Sequence, residues 1–495
     1  MRVITVLLVL AGLAALAPAQ QIVIGEYPDY LGSGPNGITS GADGALWFTE
    51  SSYNSVGRLS VSGVLSSYFY DRPCCSVPID IATGADGNLW FTAQPAKLGK
   101  ITTGGIFTFY GGCCSYALTG ALPGGITAGP DGQLWFTDHS HNDIDSSSTS
   151  GAINRYGVPT SNAGLQWITA GPDGALWFTE AIANQIGRAT TSAAFTEYPI
   201  PTANSKPNVI AAGPDGALWF TEIGANQVGR ITTAGVVTEY PVPTANASLN
   251  GITAGPDGAL WFVESAASQI GRITMAGVVT EYPTPTADSQ PYNITLGPDG
   301  SLWFTEQKSS RIGQVVFTTA SLSVSPSQAE YGRTLSFTGS GFDANESVTI
   351  YSSGVGSAVL ATATADSSGT FTASAQAPAS PYGKRIFLCV GQQSGKIGAA
   401  PFAATPRLFV SPNSGSGGTF AAVTGFGFGS GEGVKVYWNN PNLLLGTVGT
   451  DAQGAFYGSA QVMFRVPVAA SPGANTIMGV GETTGKQVTV TFTVK

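Results

Sequence analysis

A chain of 495 residues is too long for one compact domain, so two or three are expected. Its 66 glycines and its 10% of charged residues suit an all-β protein rich in turns. A net charge of −9 without any Lys/Arg-rich run argues against double-stranded nucleic acid as a partner.

Residues 1–19 read as a secretory signal. Arg2 supplies the positive start, Val3–Leu16 the apolar run, and Ala17-Pro18-Ala19 the cleavage site, leaving Gln20 as the mature start. The expected location is secreted, periplasmic or cell-surface. No later segment is long and apolar enough to span a bilayer, which takes about 20 residues.

Ile22–Tyr27, stopped by Pro28, looks like a last strand that precedes any first strand. A unit then recurs seven times, marked by Trp47, Trp90, Trp135, Trp177, Trp219, Trp261 and Trp303, at steps of 42 to 45 residues. A fixed period in the forties built on short strands and tight turns marks a β-propeller. In the fifth unit, Asn208–Gly213 is a first strand, and Pro214-Asp215-Gly216 a turn with proline presetting φ and glycine accepting positive φ. Ala217–Glu222, Val228–Thr232 and Val236–Tyr240 follow as strands, the last stopped by Pro241 as suits an edge. The seventh unit runs out near Phe317, so the N-terminal strand is expected to complete its blade and remove an open seam.

Past Ser321 the period changes. Gly339–Ile350 matches Gly425–Val436, and Ser368–Phe371 matches Gln453–Phe456, an offset of 85–86 residues. Units of that size with closely spaced strands suggest two Ig-like β-sandwiches joined near Pro406. The expected fold is therefore all-β: a signal peptide over 1–19, a seven-bladed β-propeller over 20–319, and sandwiches over 320–405 and 406–495. Cys74, Cys75, Cys113 and Cys114 fall between units, where one or two disulfides are expected to join neighbouring loops. Cys389, in an apolar run, reads as a buried free thiol.

The second strands end at Glu50, Ala93, Asp138, Glu180, Glu222, Glu264 and Glu306, toward the face where propellers gather ligands. This ring of acids is one candidate site. Its structural counterpart is pairing of Glu50, Glu180, Glu222 and Glu264 with an arginine eight residues on, at Arg58, Arg188, Arg230 and Arg272. The third unit differs. Its turn, Asp138–Asp145, holds both histidines of the protein, His139 and His141, and Ser146 replaces the arginine. Asp138, His139, His141 and Asp143 are candidate ligands for a divalent metal; the alternative is a solvated polar turn.

The repeat Gly-Ile-Thr-x-Gly-Pro-Asp-Gly-x-Leu-Trp-Phe-Thr-Glu…Asn-x-Ile-Gly-Arg-Ile-Thr…Thr-Glu-Tyr-Pro, close to its full form in Gly251–Thr284, resembles the virginiamycin B lyase (streptogramin lyase) family across Ile22–Phe317. The resemblance implies the propeller fold. It also implies Mg²⁺-assisted elimination at the ester of a cyclic depsipeptide, with histidine as general base before the first strands of the last two blades. Those places hold Asn250 and Tyr292, and the family's glutamate after the last Trp-Phe is Gln307. Neither asparagine nor a tyrosine of ordinary pKa, about 10, suits removal of an α-proton near neutral pH.

Two functions follow. The first is a non-catalytic, monomeric, exported protein that binds a small-molecule, glycan or protein ligand on the loop face, Tyr292 and the glutamate ring included, with its sandwiches as spacers or adhesion modules. The alternative is a carbon–oxygen lyase with its site relocated to His139, His141 and the acids, using Mg²⁺.

Overall fold

The computed structural model describes residues 21–28, 33–70, 76–95, 97–111, 120–353, 357–380, 383–429, 431–451 and 454–495. Residues 1–19, expected to be a signal segment, and Cys74, Cys75, Cys113 and Cys114 lie outside the described residues. Cys389 is buried and free. Among the described residues there is no α-helix, and no helix long and apolar enough to cross a membrane.

Seven four-stranded antiparallel sheets come first in the described chain, in a propeller-like repeat. The fifth is typical: Pro207–Ala212, Leu218–Glu222, Gln227–Ile231 and Val237–Pro241, each strand paired with the next. The register explains the repeat's residues. Trp219 lies opposite Arg230, and Phe220 opposite Gly229. A Cβ on Gly229 would stand 2.2 Å from the Phe220 ring, so glycine there is what lets the ring lie across the third strand. Phe220 and Trp219 are both fully buried.

The sheets neighbour one another through their first strands in a closed circle. Buried threonines on the second strands stitch it. Thr49 Oγ1 donates to Ile79 O at 3.0 Å, Thr137 Oγ1 to Gln166 O at 2.8 Å, and Thr305 Oγ1 to Asn36 O at 2.7 Å, the last joining the final sheet to the first. Gln21–Pro28 pairs antiparallel with Arg311–Thr318 as the fourth strand of the last sheet, so both ends of this region share one sheet.

Two pairs of sheets follow, each a three-stranded sheet packed on a five-stranded one. The first pair closes over Phe337, Val348, Ile350, Phe371, Phe387 and Phe402, the second over Phe428, Trp438, Phe456, Phe464 and Phe492. The first pair also packs on the strand Gln21–Pro28. Val23 and Val316 meet Ile386, Leu388, Ile397 and Ala399 in one apolar cluster. Tyr27 Oη donates to Gln314 Oε1 at 2.9 Å and lies 3.2 Å from Ser353 Oγ, and the Arg385 guanidinium stands 5.4 Å from the Tyr27 ring.

Gly25 is the tightest point of that junction, since a Cβ there would fall 2.4 Å from Ile386 Cγ1. Gly25→Ala is therefore expected to cost about 1–3 kcal/mol by overpacking, read as a lowered midpoint in denaturant unfolding. An unchanged midpoint would show that the two halves do not meet there.

Candidate functional site

First-strand starts and second-strand ends lie side by side, as in the pairing of Pro207 with Glu222. One end of the circle therefore gathers two sets of residues. The second residues of the first strands include Asn36, Gln166, Asn208, Asn250 and Tyr292. At or just past the ends of the second strands stand Gln94, His139, Ser265 and Gln307.

These side chains form short amide ladders. Asn208 Nδ2 donates to Asn250 Oδ1 at 2.7 Å, and Asn250 Nδ2 donates to Ser265 Oγ at 2.7 Å. Ser265 Oγ donates in turn to Pro291 O. Gln307 Nε2 donates to Asn36 Oδ1 at 2.5 Å, and Gln94 Nε2 to Pro123 O at 3.0 Å. His139 plays the part of Gln94 and Ser265, with Nδ1 donating to Leu165 O of the following sheet at 3.3 Å. In the neutral ring that leaves Nε2 as the acceptor. Below the mouth, Asp80 is buried and accepts the Ile126 N–H at 2.9 Å. Burial pushes its carboxyl up to about 7 against the pull of that N–H. Tyr292 is half-buried, and burial together with the Asp80 charge raises its hydroxyl above the ordinary 10.

The four proposed metal ligands do not converge. Among the described residues no three His, Cys, Asp or Glu side chains are placed to hold a metal ion. Asp138 is buried, with His141 Nδ1 on its Oδ2 at 2.6 Å and Leu122 N on its Oδ1 at 3.0 Å. Burial opposes ionisation of Asp138 but is outweighed by Leu122, His141 and Ser140, which hold the carboxyl below its ordinary value. Asp143 begins the third strand, and burial and the Asp138 charge raise it. His139 is aimed at the next sheet instead. Spacing of i, i+2 on this turn puts the two imidazoles to different uses.

The acid ring also differs from expectation. Glu50, Glu180, Glu222, Glu264 and Glu306 are each 0% exposed, inside the sheets and not open on the mouth. Their expected arginines pair elsewhere: Arg58 with Asp43, Arg188 with Asp173, Arg230 with Asp215 at 2.7 Å each, and Arg272 with Asp257 at 2.6 Å. The reason is register. Glu222 lies opposite Gln227, whereas Arg230 lies three pairs down the hairpin opposite Trp219 and reaches the turn aspartate beyond it.

Four of the glutamates instead meet a second acid from the fourth strand, giving Glu180 with Glu197, Glu222 with Glu239, Glu264 with Glu281, and Glu306 with Glu26. The fourth-strand acid is held by the preceding sheet's connection, as where Thr244 N and Oγ1 donate to Glu281 at 2.8 and 2.9 Å. Neither carboxylate oxygen of Glu180 receives a protein hydrogen bond. Protonation of Glu180 removes the repulsion between its carboxylate and that of Glu197. Burial first, and the neighbouring carboxylate second, push Glu180, Glu222, Glu264 and Glu306 up to about 8.

The third sheet replaces the glycine of the third strand with Asp145, opposite Phe136. Asp145 is buried, pushed up to about 8 by burial and by Asp138, with Arg155 Nε 3.9 Å away.

Mg²⁺ prefers carboxylate and water oxygens. The family's glutamate position is Gln307, whose Nε2 donates to Asn36, and the histidine positions are Asn250 and Tyr292, so none of the three offers a carboxylate. These residues do not fit the ion.

A sequence model of the virginiamycin B lyase family matches residues 24–250 and 115–330. A solved streptogramin B lyase is 39% identical over 61% of this chain and 100% of its own, with a TM-score of 0.56. Virginiamycin B lyase from Staphylococcus aureus is 37% identical over 60% of this chain and 99% of its own, with the same TM-score. A catalytically inactive variant of that enzyme with quinupristin matches equally well. The family match ends at residue 330, just inside the first C-terminal pair, whose strands begin at Ser321, and it leaves the rest of both pairs uncovered.

The raised acids fix the sign of the pH dependence. In the unfolded chain a glutamate loses its proton near 4.5, whereas the buried ones keep theirs to about 8. The folded state holds more protons in between, so the stability these glutamates contribute is greatest at the low end of that window and falls as pH rises through it. The thermal midpoint is expected to decline from pH 5 toward pH 8, and Glu222→Gln to flatten part of the decline. A midpoint that climbs over the window would contradict protonated buried glutamates.

Proposed function

The chain belongs to the virginiamycin B lyase family, and from its mouth residues we propose that it is a ligand-binding member of that family and not a depsipeptide lyase. The observation that carries this is the pair Asn250 and Tyr292. Asn250 is committed on both ends of its amide, to Asn208 and to Ser265. Tyr292 has its hydroxyl pushed away from ionisation by burial and by Asp80. Elimination needs a group at this point that takes an α-proton near neutral pH. An amide has no basic lone pair to offer, and a raised phenol is a weaker acid than usual, so its basic form is scarce. Fold similarity transfers the scaffold and leaves the chemistry to the residues present.

In this reading the seven sheets are the blades of a seven-bladed β-propeller with its binding face at the amide-lined mouth. The two C-terminal sheet pairs are Ig-like β-sandwiches. They act as spacers that hold the propeller at a distance from whatever anchors the chain. An export signal at residues 1–19 would place it outside the cytoplasm as a secreted, periplasmic or surface protein.

One observation supports a second reading. His139 stands on the mouth, and its Nε2 is the acceptor of a neutral imidazole. A lyase with its base moved to the third sheet would use that nitrogen. His141 would contribute little, since it is bound to Asp138.

The two readings part in one assay. Purified protein incubated with a cyclic depsipeptide, with and without Mg²⁺, is expected to give no linear product on chromatography, which is the needed readout because elimination conserves mass. Turnover that His139→Ala abolishes and His141→Ala spares would establish the second reading and overturn the first.

A further inference from the structure

Trp167 is one of two tryptophans outside the repeating series, and its environment differs from all the others. The seven repeating indoles are 0% exposed and Trp438 is 3% exposed, whereas Trp167 is half-buried. It sits on the first strand of the fourth sheet, beside Gln166. On one side the preceding sheet offers Gly125, where a Cβ would come within 2.9 Å of Trp167 Cα and 3.0 Å of Cγ. On the other side it packs with Val209 and Ala211 of the next sheet. Glycine on the near side and small aliphatics on the far side leave the indole partly open to solvent, unlike the other eight tryptophans.

Apart from His139, whose ring is turned to Leu165 O, the mouth residues have one chemical character. Asn36, Gln166, Asn208, Asn250, Tyr292 and Gln307 are all uncharged, and each offers both a donor and an acceptor. Asp80, the carboxyl beneath them, is buried and taken up by the Ile126 N–H. A strongly charged ligand finds no opposing charge on these side chains. A hydroxyl group, which like an amide both donates and accepts, finds a partner at each.

We propose that the mouth binds a neutral saccharide, with Trp167 packing on the C–H face of a sugar ring and the Asn208–Asn250 ladder pairing its hydroxyls. The proposal rests on the reading of the mouth as a ligand site and names what that site takes. The half-buried indole supplies apolar area to one face of the ring. The ladder fixes the amides before the ligand arrives, which limits the ordering cost of binding. Each amide in the ladder uses one or two of its four hydrogen-bonding capacities within the protein, and the others remain for the ligand.

The test uses the full mature chain and tryptophan emission, since the buried indoles cannot meet a ligand. The probes are neutral hexasaccharides (cellohexaose, mannohexaose and chitohexaose), an acidic galacturonate hexamer and a cyclic depsipeptide. A saturable shift with at least one neutral hexamer, and none with the acidic one, is expected. Trp167→Phe should remove the optical shift while calorimetry still detects binding. Asn208→Ala with Asn250→Ala should weaken binding about tenfold or more, with an unchanged circular dichroism spectrum as the check on folding. A shift with the depsipeptide alone would overturn the saccharide assignment and leave the mouth as the site. Binding that survives unchanged in the double alanine variant and in Trp167→Ala, or no binding by any probe, would overturn both.

Discussion

The turn aspartate of each repeat carries more of this structure than any other group. In all seven sheets it accepts the indole N–H of the repeating tryptophan, at 3.0–3.1 Å. A buried indole N–H without a partner costs about 1–3 kcal/mol, so the tryptophan can be fully buried only if the turn delivers an acceptor to it. The Pro-Asp-Gly turn does so through local geometry alone. The other carboxylate oxygen then takes the arginine of the third strand, as Asp215 does with Arg230, whose guanidinium lies 5.9 Å from the Trp219 ring. The fourth-strand tyrosine stacks on the same indole, Tyr240 on Trp219 at 5.6 Å. One residue of the turn thus links all four strands. In the last sheet Gln314 replaces the arginine at Asp299, and Tyr27 from the chain's beginning meets Trp303 at 5.2 Å. Closure of the circle is the same contact made by a distant piece of chain.

The glutamate pairs, at least one member of each fully buried, follow from that arrangement. Glycine on the third strand makes room for the phenylalanine ring, and the space beside it receives the glutamate of the second strand. On Gly229 a Cβ would meet Phe220 at 2.2 Å and Glu222 Oε1 at 2.6 Å. The fourth-strand acid comes into the same space because the threonine of the preceding sheet needs an acceptor. Two carboxyls there are tolerated because one keeps its proton. Where the glycine becomes Asp145, the pattern breaks. The fourth strand brings Arg155 in place of glutamate, and Asp138 turns to His141 and to the Leu122 N–H. The third sheet is a rearranged version of the same charge problem, and its histidines are part of that rearrangement.

This explains how much of the molecule was legible beforehand. The sheets, their strand order and the role of the N-terminal strand follow from period, turn residues and one displaced strand ending in Tyr27-Pro28. The partners of the charged residues do not, because a spacing of eight across a hairpin says nothing about which pair of strands a side chain runs along. Arg230 looked near Glu222 in sequence and lies opposite Trp219 in register. His139 and His141 looked like a pair, and one turns to Leu165 O while the other turns to Asp138. Asn36, Gln166, Trp167, Asn208 and Asp80 were missed as mouth residues. Aligning the starts of the seven first strands would have found them, since each stands one or two places before the repeat's isoleucine.

Those same positions show how the family scaffold can be kept while what lines its mouth changes. The residues that define the repeat are turn aspartate, tryptophan, phenylalanine, glycine and tyrosine, and all serve burial. The mouth positions contribute little to burial. Asn250, Tyr292, Gln166 and Asn208 are half-buried, and their neighbours in the circle range from Ile79 to Gly124 without any change in the pairing of first and second strands. A substitution there leaves the packing that holds the circle intact and changes only what faces the channel. Histidine can therefore be exchanged for asparagine at one blade and tyrosine at the next with the scaffold kept. What the exchange alters is the chemistry on offer at those two places, an amide and a phenol.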